Sequence, residues 1–257
     1  MTAMVLRSDH DGVATLTLNR PDKLNALNAA LFHELAAHVA AIGTVTDRIG
    51  AVVLRGAGRC FSAGHDLAGL QASESLDSMR FEAGVVEAIT NLPQPVIVAV
   101  HGHCYTGALE LALAGDLIVC SESARFADTH ARWALVPLWG MSQRLPRRIG
   151  AYKAREMMYT ARTYTGREAE AMGLAERCFA DDVFEAELTA LLGVIVGNSW
   201  HSHRANKRLL IETDATPLPV GLAHESYRSS GFGPDFHERI AAFLGKSRDP
   251  GKQPAKR

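Results

Sequence analysis

The sequence has 257 residues, of which 47% are hydrophobic, and a formal net charge of −1. A chain of this length can bury a substantial apolar core. The near-neutral charge argues against a nucleic-acid-binding or membrane-surface protein, because such proteins carry a basic excess. The four cysteines form no CxxC pair, which favours a reduced, cytoplasmic setting. The longest stretch without Asp, Glu, Lys or Arg, 88–109, contains prolines and glycines, so no membrane span is predicted.

The N-terminal part predicts a hairpin and a helix. Residues 13–20, "VATLTLNR", alternate apolar and polar side chains as a half-buried strand does, and the preceding "HDG" indicates a hairpin turn. From Asn28 the period changes to that of a helix, which Gly43 is expected to end. The apolar residues on its predicted inner face are Leu31, Leu35, Val39 and Ile42.

Strands, glycine loops and helices then recur along the chain. "IGAVVLRG", "PVIVAV" and "DLIVC" indicate buried strands, and a helix is predicted over 76–92. This order is typical of a coil built from sheet and helix, although no internal sequence repeat accompanies it. After about residue 151 the pattern becomes helical. The sequence therefore predicts an α/β fold with a strand-rich core and a helical C-terminal third.

Two glycine loops follow buried strands, and each leads towards a helical segment. They are "CFSAGHDL" and "HGHCYTGALE". Two backbone N–H groups that converge from separate loops can form an oxyanion hole, and glycine lets the backbone approach a bound carbonyl closely. A phosphate cradle is the alternative, but neither loop carries the GxxxxGK[ST] or GxGxxG pattern.

A single carboxylate, Glu110, lies on the predicted first turn of the helix after the second loop. Burial of a carboxylate raises its pKa, so that it can exchange a proton near neutral pH. The alternative is a carboxylate that interacts only with the helix dipole.

The sequence resembles the crotonase (enoyl-CoA hydratase/isomerase) superfamily over nearly its whole length. The motifs that carry the resemblance are "LNRPDKLNALN", "FSAGHDL", "GALELALAGDLIV", "FADTHARWALVPLWGMSQRLPRRIG", "YTGREAEAMGLAERC" and "FLGK". The resemblance implies a crotonase-like spiral of ββα turns over 1–195, and a helical trimerisation region over 196–257. It also implies an acyl-CoA substrate and a homotrimer or a dimer of trimers.

The resemblance assigns roles to three positions near the glycine loops. The thioester oxygen is expected between the backbone N–H groups of His65 and Gly107. Glu110 is similar to the first of two glutamates that activate water in family hydratases. On this basis we favour a catalytic role for Glu110 over the helix-dipole interpretation.

The second family glutamate is replaced by His130, seven residues before Pro137. An imidazole can serve as acid or base there. Asp128 is expected on the same side as His130 if this segment is extended. Two hypotheses remain open at this point. His130 either supplies the missing proton transfer as an auxiliary group, or it is only a polar residue of the pocket.

The resemblance also implies contacts with coenzyme A, which is expected as part of the substrate and not as a tightly bound cofactor. The positions that it indicates are Lys23, Ala26, Ala63, Asp66, Leu67, Phe243 and Lys246. Trp139 and Tyr105 are bulky and are expected to narrow or redirect the acyl pocket, or to pack in the core. Two HxH pairs are present without further ligands nearby, so no metal site is predicted.

The most direct functional prediction is an enoyl-CoA hydratase, a lyase of fatty acid metabolism. An isomerase, a decarboxylase or a thioester hydrolase on the same scaffold is the alternative among enzymes. Leu138 stands where decarboxylases that share "FSAGHD" have tyrosine, which weakens the decarboxylase hypothesis. A non-catalytic acyl-CoA-binding protein is favoured by His130 and disfavoured by Glu110. A nucleic-acid-binding relative is disfavoured by the net charge.

Overall fold

A computed structural model describes residues 3–66 and 75–246 of the chain. The chain divides into two compact units, Met1–Gly197 and Asn198–Arg257. The first unit contains all the described strands. They are β1 (Val5–His10), β2 (Val13–Leu18), β3 (Ala51–Gly56), β4 (Val96–Val100), β5 (His103–Tyr105), β6 (Leu117–Ser121), β7 (Arg125–Ala127), β8 (Tyr164–Thr165) and β9 (Arg177–Phe179).

The main sheet has the strand order β1-β2-β3-β4-β6-β9. Strands β1 and β2 are antiparallel, and the other neighbours pair in parallel. The turn between β1 and β2 consists of Asp11 and Gly12, whose φ angles are 48° and 77°. Two successive residues with positive φ match the twist of a two-residue hairpin. The hairpin predicted from "HDG" is thus confirmed.

The helices of the first unit cover both faces of the sheet. They are α1 (Ala29–Gly43), α2 (Leu76–Thr90), α3 (Gly107–Ala112), α4 (Met141–Ile149), α5 (Ala151–Thr160), α6 (Gly166–Ala171) and α7 (Phe184–Gly197). Helix α1 begins where its sequence predicts, because the side chain of Asn28 accepts a hydrogen bond from the Leu31 N–H at 2.9 Å. Its predicted inner face is buried.

The core lies on both sides of the parallel strands. All five residues of β4 are buried. Val52, Leu54 and Val98 point into the larger apolar cluster, whereas Val53 and Ile97 point into a second cluster that includes α7. Burial on both faces explains why these strands are continuous apolar runs and do not alternate with polar residues.

A second, smaller sheet has the strand order β5-β7-β8. Strand β5 ends two residues before α3, and β7 ends three residues before His130. The parallel pairing of Tyr105 with Ala127 brings these two strand ends together. The small sheet therefore positions the two segments that carry Glu110 and His130.

The second unit is helical in the part that the structure describes. Its helices are α8 (Trp200–Glu212), α9 (Leu218–Arg228) and α10 (Phe236–Lys246). No described helix in either unit is both long enough and apolar enough to cross a membrane.

Candidate active site

Glu110 is the buried carboxylate around which the site is built. It lies on α3, only 2% exposed. One of its oxygens, Oε1, accepts hydrogen bonds from two backbone N–H groups, those of Trp139 at 2.9 Å and Met141 at 3.0 Å. These donors hold the carboxylate in one orientation and leave Oε2 for other contacts.

Burial raises the pKa of the Glu110 carboxyl above its usual value, because desolvation disfavours the charged form. The hydrogen bond from the Met141 N–H, the attraction of His130 and the hydrogen bond from Trp139 oppose this effect without cancelling it. Since Oε1 is occupied by two donors, a proton on this carboxyl belongs on Oε2. Glu110 can therefore give up and recover a proton at one defined oxygen.

His130 faces that oxygen. Its Nε2 lies 3.6 Å from Oε2 of Glu110, and its Nδ1 lies 2.6 Å from Oδ1 of Asp128. The side chains of Asp128 and His130 are both buried. The three groups thus form a row in the order Asp128, His130 and Glu110, enclosed within the protein.

The backbone at His130 is helical, so the alternation considered for an extended segment does not apply there. His130 begins a 3-10 helix that runs to Trp133. Asp128 nevertheless lies beside it, because its Oδ1 also accepts the His130 backbone N–H at 3.1 Å. A turn closed by an aspartate side chain, and not strand alternation, brings the two residues together.

The two glycine loops lie side by side. Leu27 and His65 form an isolated β-bridge, and Ser62 and Cys104 form another. A Cβ atom added at Gly64 would lie 2.6 Å from the carbonyl oxygen of Tyr105 and 3.7 Å from the nitrogen of Gly107. Gly64 also has a φ of +102°, so only glycine fits both its conformation and its surroundings. This packing brings the backbone next to His65 close to the backbone of Gly107.

Thr106, which precedes Gly107, has a strained backbone. Its φ of 54° and ψ of −110° lie in a region that non-glycine residues rarely adopt. Such a conformation costs about 1–3 kcal/mol and persists only where the surroundings impose it. Here the Thr106 N–H donates to the Ala127 carbonyl at 2.8 Å, and its hydroxyl accepts the Thr129 N–H at 3.0 Å. These bonds fix the peptide that leads into the Gly107 N–H.

The indole of Trp139 closes one side of the site. A Cβ atom at Gly107 would lie 2.7 Å from Cζ3 of this ring. The ring centroid is 4.9 Å from that of Phe32 and 5.4 Å from that of His65. Trp139 is therefore both a packed aromatic and a wall beside Gly107, whereas Tyr105 lines the neighbouring cavity.

That cavity has a volume of about 560 Å³. Four residues predicted to contact coenzyme A line it: Lys23, Ala26, Ala63 and Asp66. His65, predicted as an oxyanion donor, also lines it, and so does Arg132, which the sequence did not indicate. Asp66 also forms an ion pair with Arg20 at 3.1 Å, and Arg20 bonds to the Ala26 carbonyl. This ion pair ties the "NAL" loop to the "AGHDL" loop.

The other predicted coenzyme A contacts, Leu67, Phe243 and Lys246, stay predictions. Leu67 lies outside the described residues. Phe243 is an exposed residue of α10 in the second unit, and the side chain of Lys246, at the end of that helix, is also outside the description. The imidazole of His65 has its Nε2 3.4 Å from Oε2 of Glu82. Within the described ranges no group of three His, Cys, Asp or Glu side chains can hold a metal ion.

Comparison with known proteins gives the family. The model of the enoyl-CoA hydratase/isomerase family matches residues 8–248. The chain belongs to this family. It is 35% identical to a Rhodobacter capsulatus protein described as "Probable enoyl-CoA hydratase", over 92% of this chain and 93% of that protein.

Solved structures of the enoyl-CoA hydratase/isomerase family share the fold. The Bacillus anthracis enoyl-CoA hydratase superposes with a TM-score of 0.89 at 30% identity, covering 95% of this chain and 96% of that one. A Thermobifida fusca structure in complex with acetoacetyl-CoA superposes with a TM-score of 0.80 at 26% identity, covering 95% and 96%. The crotonase fold and the acyl-CoA enzyme class predicted from the motifs are confirmed.

The family resemblance implies a glutamate at position 130, where this chain has a histidine. The sequence motif gives its position, but not the distance of 3.6 Å to Glu110 or the bond to Asp128. Thr106 and Thr129 were missed as well. Thr106 lies inside a glycine loop, which could have pointed to it, whereas Thr129 has no such signal in the sequence.

Proposed function

We propose that this enzyme adds water across the double bond of a 2-enoyl-CoA, with Glu110 and His130 as the two proton-transfer groups. The observation that carries the proposal is the pair formed by Oε2 of Glu110 and Nε2 of His130, 3.6 Å apart in a buried site. A water molecule at about 2.8 Å from each atom would lie beside the line that joins them. Hydration needs two groups beside one water molecule, one to take a proton from the water and one to give a proton to carbon.

The acyl-CoA substrate is proposed to lie in the cavity of about 560 Å³. The complex of the Thermobifida fusca relative with acetoacetyl-CoA supports this ligand class. Lys23 and Arg132 supply positive charge for the phosphates of coenzyme A, and the backbone at Ala26 and Ala63 supplies hydrogen bonds. We propose that Asp66 also contacts coenzyme A and, as the family resemblance suggests, that Leu67, Phe243 and Lys246 do so too.

The thioester oxygen is proposed to accept hydrogen bonds from the backbone N–H groups of His65 and Gly107. Each such donor contributes about 3 kcal/mol to stabilisation of the negative charge that develops in the transition state. The close packing of Gly64 against Tyr105 and the strain at Thr106 support this assignment, because both fix the backbone beside the two donors.

The reaction then proceeds as an addition in which atoms and electrons balance. His130 Nε2 takes one proton from water while the water oxygen bonds to C3. The π electrons of the C2–C3 bond move towards the thioester oxygen and give an enolate. Glu110 donates the proton on Oε2 to C2, and the enolate electrons form that bond. The product is a 3-hydroxyacyl-CoA, and transfer of the proton from His130 to Glu110 restores the starting state.

Isomerisation of the double bond is a second candidate, favoured by the burial of the site. Glu110 is 2% exposed and is not among the residues that line the cavity. Exclusion of water would let the same two groups move a proton between C2 and C4 of a 3-enoyl-CoA. Product analysis separates the two reactions, since only hydration adds oxygen to the acyl chain.

We further propose a homotrimer or a dimer of trimers assembled through the second unit, in the cytoplasm. The described part of that unit exposes large apolar side chains, among them Leu218, Phe232 and Phe243, and large exposed apolar patches mark interaction sites. The four free, buried cysteines support a reducing compartment. Light scattering coupled to size-exclusion chromatography measures the assembly, and a monomer would contradict it.

The experiment follows the loss of enoyl-thioester absorbance with crotonyl-CoA. The parent protein is compared with Glu110→Gln and His130→Ala over a range of pH. We expect each substitution to lower kcat by about 10²–10⁴-fold, the range for loss of a general acid or base. Absence of turnover in the parent, despite measurable binding of the CoA ester, would contradict hydration of this substrate. Full activity of Glu110→Gln would contradict the assignment of the acid.

A further inference from the structure

Asp128 is a buried carboxylate whose interactions are directed at one residue. It follows β7 and is 1% exposed. Its Oδ1 accepts two hydrogen bonds from His130, one from the backbone N–H at 3.1 Å and one from the ring Nδ1 at 2.6 Å. Burial of an ionised carboxylate costs free energy unless it is paired and hydrogen-bonded. The two hydrogen bonds from His130 offset that cost for Asp128.

The contact determines where the imidazole carries its proton. An ionised carboxylate only accepts hydrogen bonds, so Nδ1 of His130 must be protonated. Nε2 is then the nitrogen that can change its protonation. In the described part of the chain the charged groups that face His130 are Asp128, at Nδ1, and Glu110, at Nε2.

We propose that Asp128 is a positioning residue that holds His130 with Nε2 available as the base towards water and Glu110. Its negative charge also stabilises the imidazolium that forms when Nε2 takes the proton. In this way an aspartate and a histidine together do the work of the second family glutamate. The inference deepens the proposed hydration and rests on it, but its geometric part can be tested without turnover.

In the chemical step, His130 accepts one proton from water. The O–H bond of water breaks, its electron pair forms the bond from oxygen to C3, and the proton bonds to the Nε2 lone pair. The proton on Nδ1 stays in place throughout, between His130 and Asp128. Without the carboxylate the neutral ring would divide between its two tautomers, and the one with the proton on Nε2 could not act as the base.

The test is Asp128→Asn, because an amide of the same shape can donate from its nitrogen to Nδ1 and so favour the wrong tautomer. We expect kcat with crotonyl-CoA to fall about 100-fold, within the range for general-base catalysis, with KM nearly unchanged. Asp116→Asn is the matched control, because Asp116 accepts a backbone N–H from Val96 at 2.7 Å but lies outside the site.

A second variant separates positioning from structural support. In a His130→Ala background, Asp128→Asn should cost almost nothing further, because the ring it orients is gone. An equal loss of kcat in both backgrounds would overturn the proposal, as would wild-type activity in Asp128→Asn. If the parent shows no turnover at all, the proposed function fails, and nitrogen NMR of labelled histidine still decides the positioning.

In that NMR experiment the resonances of His130 are assigned with His130→Gln. Protonation of Nδ1 in the parent, with redistribution of the proton to Nε2 in Asp128→Asn, supports the proposal. A parent protein with the proton on Nε2 and a bare Nδ1 overturns it. The parent measurement alone is decisive even if Asp128→Asn does not fold.

Discussion

Substitution of Gly107 by alanine tests the site at its most crowded point. Gly107 is the first residue of α3, and its backbone is not among the positive-φ positions. Alanine is therefore allowed by conformation, and the obstacle is space. The added Cβ would lie 2.7 Å from Cζ3 of Trp139 and 3.4 Å from Cε3 and Cη2. Either the indole or the backbone that carries the proposed oxyanion donor has to move.

The expected size of the effect follows from that displacement. Overpacking of a well-filled core costs about 1–3 kcal/mol of stability, which for a unit of this size lowers Tm by roughly 2–4 °C per kcal/mol. Misalignment of one oxyanion donor lowers kcat by about 10²–10³-fold. We therefore expect Gly107→Ala to be folded, with a Tm lower by about 2–12 °C, and at least about 100-fold slower.

The assay is crotonyl-CoA turnover beside thermal unfolding, with two further variants. Trp139→Phe removes the outer ring atoms that meet the new Cβ, so the double variant should recover part of both losses, with a coupling of about 1–3 kcal/mol. Gly84→Ala in α2 is the control, because no atom lies within 4 Å of its added Cβ. Wild-type activity in Gly107→Ala, or no recovery in the double variant, would refute the account of this contact.

Three further predictions follow from the same geometry. Trp139→Phe should raise kcat/KM for hex-2-enoyl-CoA relative to crotonyl-CoA by about tenfold or more, because space for a methylene is worth about 1–3 kcal/mol. An unchanged ratio would show that the indole does not limit the length of the acyl chain. Glu110→Gln should raise Tm relative to the parent increasingly as pH rises above about 4.3, the ordinary glutamate value. The reason is that burial raises the pKa of Glu110 in the folded parent protein. The parent therefore loses stability as the pH rises through that folded-state pKa, whereas Glu110→Gln does not. A Tm difference that shrinks with rising pH would contradict this prediction. Arg132→Ala should raise KM for crotonyl-CoA about tenfold, as for loss of a charge-assisted hydrogen bond, but not for the N-acetylcysteamine thioester, which lacks phosphates. An equal rise for both esters would remove Arg132 from the phosphate site.

Long, strongly patterned elements were predictable from the sequence. The apolar stripe of α1 agrees with the helical period that begins at Asn28, and the buried strands β3, β4 and β6 agree with their continuous apolar runs. The small sheet was not predicted, because β5, β7 and β8 span only two or three residues each. Strand β9 was missed within the helical C-terminal third for the same reason. Strands this short are defined by their partners and not by their own pattern.

The site was predictable in its parts and not in its arrangement. Glu110 was recognisable as a buried acid, and the family motifs indicated its use. The two N–H groups that hold it come from Trp139 and Met141, about thirty positions along the chain, and no local pattern shows such a contact. The turn at His130 was not predicted, because the hydrogen bonds from His130 to Asp128 that close it depend on the buried surroundings of both side chains.

The central claim is that this site adds water to an enoyl thioester, and the most direct test is the fate of the water oxygen. Crotonyl-CoA is incubated with the parent protein and with Glu110→Gln in ¹⁸O-labelled water, and the products are analysed by mass spectrometry. We expect one labelled oxygen on C3 of an intact acyl-CoA, formed by the parent and almost absent with Glu110→Gln. Label found only in a released free acid, or an acyl-CoA of unchanged mass, would contradict it.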